Sequence, residues 1–191
     1  MSEIKFATIG TSKITKTFLS AASNVPEFKL EAVYSRNIKN AIEFGTPYNV
    51  TKFYDSLNTL TEDRTIDAVY IASPNAFHCS QAIQMMKAGK HVLCEKSLAS
   101  NKKEAEEMFR TAAENNVILL EAMRPVFDPG MDAVKASLNK LGVIRRATLN
   151  YCQYSSRYDS FLQGQDHNIF SRECSAGALM DIGTYCVHSL L

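Results

Sequence analysis

Up to residue 123, short apolar runs alternate with segments of helical periodicity. Ile4-Lys5-Phe6-Ala7-Thr8-Ile9 is brief, mostly apolar and closed by Gly10, which predicts a first strand. Ile14, Phe18, Ala21 and Ala22 then fall on one helical face, with Pro26 beyond the helix end. Residues 30–34 read as a second strand, and 37–44 as a short helix stopped by Gly45. Residues 51–54 form a weak strand, followed by a short helix near 56–60. Residues 67–72 are apolar enough for a strand buried on both faces. The next helix carries Cys79, Ala82, Ile83 and Met86 on one face and ends at Gly89. His91-Val92-Leu93-Cys94 is another buried strand. Asn101 caps the following helix, with Glu104 as its reciprocal partner and Ala105, Met108, Phe109, Ala112 and Ala113 as its inward stripe. Residues 117–120 form a sixth strand.

Strands of this length separated by helices predict repeated βαβ units. Parallel strands require such crossovers, and the crossovers are right-handed. The expected fold class is therefore α/β, a doubly wound parallel sheet of the Rossmann kind over residues 1–123. In such sheets ligands bind beyond the carboxyl ends of the strands, where the strand order reverses. After Arg124-Pro125 the texture changes: 128–141 reads as a helix, 143–154 as a long alternating strand, 155–172 as a polar loop and 176–191 as helical. Residues 124–191 are expected to begin an incomplete α+β substrate domain.

Composition narrows the function classes. The 191 residues are 46% hydrophobic and 21% charged with a net charge of +1, which offers no basic surplus for nucleic acid. No apolar run approaches the roughly 20 residues that span a bilayer, and the N-terminus lacks the pattern of a signal peptide, so a cytoplasmic protein is expected. The five cysteines are scattered without a CxxC pair, so reduced and mostly buried thiols are expected, and no metal site.

Candidate chemistry lies at the strand ends. Gly10-Thr11-Ser12-Lys13-Ile14-Thr15 keeps only the first glycine of the GxGxxG phosphate-binding fingerprint. Ser12 is small enough for a pyrophosphate to approach, and a helix N-terminus there would favour an anion; a plain tight turn is the other reading. At the end of the second strand an NAD enzyme places a carboxylate for the ribose 2′-hydroxyl. This chain has Tyr34-Ser35-Arg36, and a guanidinium with a neighbouring hydroxyl suits a 2′-phosphate, so NADP(H) is expected over NAD(H). The alternative is that Arg36 is a solvated surface charge. Ser73, Pro74 and Asn75 shape the exit from the fourth strand, with Asn75 able to cap the next helix. His78 just inside is either a ligand contact or a packed histidine. Glu95 and Lys96 end the fifth strand, either as a surface ion pair or with Lys96 polarising a substrate oxygen beside the nicotinamide. Near the C-terminus, Asp181, Tyr185 and His188 are spaced to share a helical face, which reads as a site or as a half-buried helix with satisfied polar tips.

Together, Ile9 through Ile14, Ser73-Pro74-Asn75, Glu95-Lys96-Ser97, Glu121-Ala122-Met123-Arg124 and 177–185 resemble the Gfo/Idh/MocA oxidoreductases, named for glucose-fructose oxidoreductase, inositol dehydrogenase and a rhizopine-catabolism protein. The pattern looks most like the dihydrodiol and xylose dehydrogenase branch, which generally prefers NADP. The resemblance implies a catalytic Lys96 and Tyr185, with Asp181 orienting the substrate or tuning Tyr185. It implies a cofactor site lined by Gly10, Ser12, Lys13, Ile14, Ser35, Arg36, Ser73, Asn75, Glu95 and Lys96, to which His78 is added. The implied reaction is hydride transfer between the nicotinamide and a carbinol carbon of a sugar, polyol or diol. Two alternatives remain at this point, a non-catalytic dinucleotide-binding regulator and an inactive fragment. The family's usual Glu-Lys-Pro is Glu-Lys-Ser here, and its glycine run before Asp-Ile-Gly is Ser175-Ala176-Gly177. Family chains are much longer and end in an open antiparallel sheet that completes the substrate pocket and usually a homo-oligomer interface. A chain ending just past Tyr185 is therefore expected to be truncated, with apolar faces exposed on the 143–154 strand and the terminal helix.

Overall fold

The computed structural model describes residues 3–190. Contacts within the chain divide it into two compact units, Met1–Glu121 and Ala122–Leu191.

The first unit is a six-stranded sheet in the order β3-β2-β1-β4-β5-β6, with β1 Ile4–Ile9, β2 Phe28–Tyr34, β3 Lys52–Tyr54, β4 Ala68–Ile71, β5 His91–Cys94 and β6 Leu119–Glu121. Every pairing is parallel. The chain winds outward from β1 to β3, returns to the far side of β1 for β4, and winds outward again. The order therefore reverses between β1 and β4, the doubly wound pattern expected from the alternating elements.

Five helices connect the strands: α1 Lys13–Ala22, α2 Ile38–Gly45, α3 Leu57–Glu62, α4 His78–Lys87 and α5 Lys102–Glu114. Alternate residues of a strand face opposite sides, so each strand feeds two cores. Val33 packs with Leu19, Ala41, Phe44 and Val50 under α1 and α2. Its neighbours Ala32 and Tyr34 turn the other way, into a core with Leu60, Val69, Ile71, Ala82, Met85, Met86 and Met108 under α3, α4 and α5. Met85, Met86 and Met108 are fully buried, each contributing roughly 1.5–3 kcal/mol of burial.

Local chemistry sets the helix boundaries. The Asn37 side chain accepts from the Lys39 amide and starts α2. Asn101 Oδ1 accepts from the Glu104 amide and starts α5, while Glu104 reaches back to the Ser100 amide, one residue before the cap. Gly89, at φ +77°, closes α4.

Several expectations shift. Gly45 does not stop α2 by adopting a positive φ: it is the helix's last, buried residue, and a Cβ there would meet Phe53 at 2.8 Å. The left-handed turn falls on Asn49, after a 3-10 turn at Thr46–Tyr48. α1 buries Thr15, Leu19 and Ala22 and leaves Ile14 and Ala21 exposed. α5 buries Met108, Thr111 and Ala112, while Phe109 and Ala113 face outward. A threonine tolerates that position because its hydroxyl donates to the Glu107 carbonyl of its own helix. Of the five free cysteines only Cys79 and Cys94 are buried.

In the second unit, Asp128 caps α6 (Pro129–Leu138), which passes into a 3-10 turn at Asn139–Leu141. The expected strand at 143–154 does not form. A strand is a paired state, and this unit has no strand among its described residues to supply a partner edge. The polar loop contains α7 (Tyr158–Leu162) and a 3-10 turn at Asn168–Phe170. The C-terminal helix begins as a π-helix at Leu179–Gly183 and becomes α-helical in α8, Thr184–His188. Leu191 lies outside the described residues.

Candidate active site

The first unit brings its candidate residues to one edge of the sheet. Gly10 through Ile14 follow β1, Ser35 and Arg36 follow β2, Ser73 and Asn75 follow β4, and Glu95 and Lys96 follow β5. These four strands are adjacent, in the order β2-β1-β4-β5. The candidates therefore surround the point where the strand order reverses.

Gly10 is the tightest point of this edge. Its φ is +114°, and a Cβ would stand 2.6 Å from the Ala72 carbonyl oxygen and 3.3 Å from the Ser73 nitrogen. The missing side chain lets the turn after β1 lie directly against the turn after β4. Ser12 occupies the N-cap of α1 in extended backbone and makes no side-chain cap bond. The first amides of a ten-residue helix are thus left without a capping side chain at the switch point, a setting that suits a phosphate. Thr15, in place of the third fingerprint glycine, is fully buried.

Arg36 is exposed, with its guanidinium 5.9 Å from the ring centre of Phe77. That cation–π contact holds the β2 turn near the β4 turn. Ser35 Oγ accepts from the Asn37 amide at 3.5 Å.

The β4 turn is internally braced. Ser73 Oγ donates to Gln81 Oε1 at 2.6 Å. Asn75 starts a 3-10 turn, Asn75–Phe77, so it does not cap α4, whose N-cap position is Phe77. His78 is 1% exposed, and its two ring nitrogens lie at hydrogen-bond distance from the carbonyl oxygens of Ser73 and Ser97. The ring is packed between the backbone of these two residues.

Around Lys96 the loop is gripped from several strands. Tyr70 Oη donates to Glu95 Oε1 at 2.6 Å from the middle of β4, and the Lys96 amide approaches Glu95 Oε2 at 3.3 Å. Burial and this carboxylate push the Tyr70 hydroxyl far above its ordinary pKa, so it remains a donor. The Tyr70 ring is stacked on Phe18 at 3.9 Å. Glu121, at the end of β6, accepts from the Leu98 amide at 2.9 Å. The Lys96-Ser97 peptide bond is cis. Lys96 itself is half-buried.

Tyr70, Phe77 and Glu121 were not singled out as site residues by sequence reasoning. Tyr70, a tyrosine in an otherwise apolar buried strand, and Glu121, a carboxylate at a strand end, offer a signal because both polar groups need partners; Phe77 offers none.

Asp181 and Tyr185 belong to the second unit. Asp181 lies in the π-helix and Tyr185 in α8, with the Tyr185 ring 5.5 Å from that of Tyr151. The wider π turn means that α spacing does not by itself put Asp181, Tyr185 and His188 on one face.

Two hollows lie elsewhere, the first of them reaching the convergence at Thr11. One of about 340 Å3 opens beside Thr11, Lys16, Asn40 and Glu43, and one of about 380 Å3 sits at the opposite sheet edge among Arg64, Asp67, Lys90 and His91. Neither is lined by Arg36, Ser73 or Lys96. Among the described residues no cluster of potential metal ligands occurs, and no helix is long and apolar enough to cross a membrane.

Residues 4–123 match the family model described as "Oxidoreductase family, NAD-binding Rossmann fold", GFO_IDH_MocA. The chain is 50% identical over 185 residues to scyllo-inositol 2-dehydrogenase (NADP(+)) IolU of Bacillus subtilis, covering 97% of this chain and 56% of that protein. It is 28% identical over 185 residues to trans-1,2-dihydrobenzene-1,2-diol dehydrogenase of Xenopus tropicalis, covering 96% of this chain and 54% of that protein. It thus spans about half the length of the curated relatives it matches. A solved structure of KijD10, a 3-ketoreductase from Actinomadura kijaniata in complex with NADP and TDP-benzene, superposes with a TM-score of 0.69 at 28% identity, covering 73% of this chain and 43% of that one. The chain belongs to the Gfo/Idh/MocA oxidoreductase family.

Proposed function

We propose that this member of the family provides the NADP(H)-binding part of a dehydrogenase acting on a secondary alcohol of a sugar, polyol or diol. The observation that carries the cofactor preference is the end of β2: Ser35 and Arg36 stand there, with an exposed guanidinium braced on Phe77. A guanidinium can pair bidentately with a 2′-phosphate, and position 36 offers no carboxylate to repel it. IolU is an NADP(+) enzyme by name and the KijD10 complex holds NADP, which agrees with this reading.

In this proposal the turn of Gly10, Ser12, Lys13 and Ile14 receives the pyrophosphate, and Ser35 and Arg36 hold the 2′-phosphate. Ser73, Asn75, Glu95 and Lys96 line the remainder, and His78 supports them from behind. A nicotinamide bound there would supply the acceptor or donor of the hydride exchanged with the carbinol carbon. Lys96 and Tyr185 manage the hydroxyl proton, which leaves as the alcohol becomes a carbonyl, and Asp181 orients the substrate or tunes Tyr185. Inositol and a dihydrodiol, named for the two relatives, are both ring compounds bearing secondary alcohols. Self-association, as expected of a full-length relative, and a cytoplasmic setting complete the proposal.

The test is thermal melting with NADPH and, separately, NADH, repeated for Arg36→Ala. A ligand bound only by the folded state stabilises it by about 2.7 kcal/mol at one hundred times its Kd. NADPH is expected to raise Tm well above the effect of NADH, and Arg36→Ala to erase that difference. Equal shifts with both cofactors in the unmodified protein would refute the assigned preference.

A further inference from the structure

One buried side chain spans the two loops that flank the proposed nicotinamide end. His78 opens α4, with Nε2 2.8 Å from the Ser73 carbonyl oxygen and Nδ1 2.9 Å from the Ser97 carbonyl oxygen. The imidazole is rigid and planar, so contacts at opposite nitrogens hold the two carbonyls at a set separation. Each loop has further anchors. The β4 turn is tied to α4 through Ser73 and Gln81. The β5 loop is tied to β6 through Leu98 and Glu121, and to β4 through Glu95 and Tyr70. The ring of His78 touches the backbone of both loops at once, at residues 73 and 97.

We propose that His78 is a positioning residue that spaces the 73–75 turn from the 95–97 loop and so sets the width of the cleft for the nicotinamide half of the cofactor. This rests on the cofactor reading above. The groups acting on the ring are the Ser97 and Ser73 carbonyls and the carboxylates of Glu95 and Glu121. Burial outweighs the pull of all four groups and lowers its pKa, which favours the neutral ring, a donor from one nitrogen at a time.

His78→Asn retains a donor near the Nδ1 position and His78→Gln one near the Nε2 position, so each variant keeps contact with one carbonyl and gives up the other. Binding of NADPH and of adenosine 2′,5′-bisphosphate, which lacks the nicotinamide half, is measured by calorimetry. The Kd for NADPH is expected to rise about tenfold in both variants, about 1.4 kcal/mol, while that for the bisphosphate stays within about twofold. Unchanged NADPH affinity in either folded variant, or parallel weakening of both probes, would overturn the proposal. Failure of the unmodified chain to bind either probe would instead overturn the cofactor reading, and this one with it. Amide hydrogen exchange of the unmodified chain gives a test that needs no variant. NADPH should slow exchange in the 73–77 and 95–98 segments together, and protection confined to one of them contradicts a clamp.

Discussion

Replacing Gly10 by alanine isolates the cost of bringing two turns together at the switch point. The Gly10 backbone has φ +114°, outside the regions an L-residue enters cheaply, and such strain costs of order 1–3 kcal/mol. The added Cβ would also lie 2.6 Å from the Ala72 carbonyl oxygen and 2.9 Å from its carbon. Ala72 cannot simply retreat, because its amide donates to the Ile9 carbonyl at 2.8 Å. Overpacking of this kind adds typically 1–3 kcal/mol. The expected loss is about 4 kcal/mol, a large share of the ~5–15 kcal/mol by which domains are stable. Gly89→Ala is the control. Gly89 also has a positive φ, +77°, but a Cβ there meets no heavy atom within 4 Å, so only the backbone cost of about 1–2 kcal/mol applies. Urea unfolding followed by circular dichroism should show a much larger fall in midpoint for Gly10→Ala, with unchanged slope for both. NADPH affinity should fall for Gly10→Ala and hold for Gly89→Ala, because Gly89 precedes β5 at the opposite sheet edge. Equal destabilisation by the two substitutions would refute the close-approach argument.

Two further outcomes follow from buried hydroxyls and carboxylates. Tyr70→Phe removes the 2.6 Å donor to Glu95 while keeping the ring stacked on Phe18, and should cost about 2 kcal/mol, as expected for a hydrogen bond to a charged group. A urea-measured loss below about 0.5 kcal/mol would show that Glu95 does not depend on it. Asp63 receives hydrogen bonds from Lys52 Nζ, Tyr54 Oη and the amide and hydroxyl of Thr65. Burial opposes its ionisation, but these donors, Thr65 first, outweigh that and hold its pKa well below the usual carboxylate range. Its stabilisation is therefore complete above the unfolded pKa of about 4 and fades as pH falls below that value toward the folded pKa. Asp63→Asn should be about 2 kcal/mol less stable at neutral pH and lose less on acidification below about pH 4. Parallel acid unfolding curves for variant and unmodified protein would contradict the assignment.

What was legible in the sequence was mostly local. β1 and β5 are short apolar runs bounded by turn or charged residues, and they form where the pattern places them. The Asn101 cap depends on residues three apart, and it too is readable from the chain. The inward face of α5 was misplaced because helical spacing alone fits both Phe109 and Thr111; the threonine wins by satisfying its hydroxyl within the helix. The 143–154 segment has alternating character, but alternation cannot supply a partner strand. At the candidate site, residues at strand ends were readable because each group is contiguous in sequence. The braces were hidden because they join distant positions: Tyr70 to Glu95, Leu98 to Glu121, and Arg36 to Phe77.

The His78 clamp grips main-chain oxygens, and every amino acid supplies one. The contact therefore tests the path of the backbone at positions 73 and 97, not the identity of the residues there. A saturation library scored for cofactor binding should accordingly treat position 78 as stringent and position 97 as permissive toward this contact. That asymmetry accounts for how a serine can stand where the family pattern has proline: the two differ in side chain and amide hydrogen but present the same carbonyl to the ring.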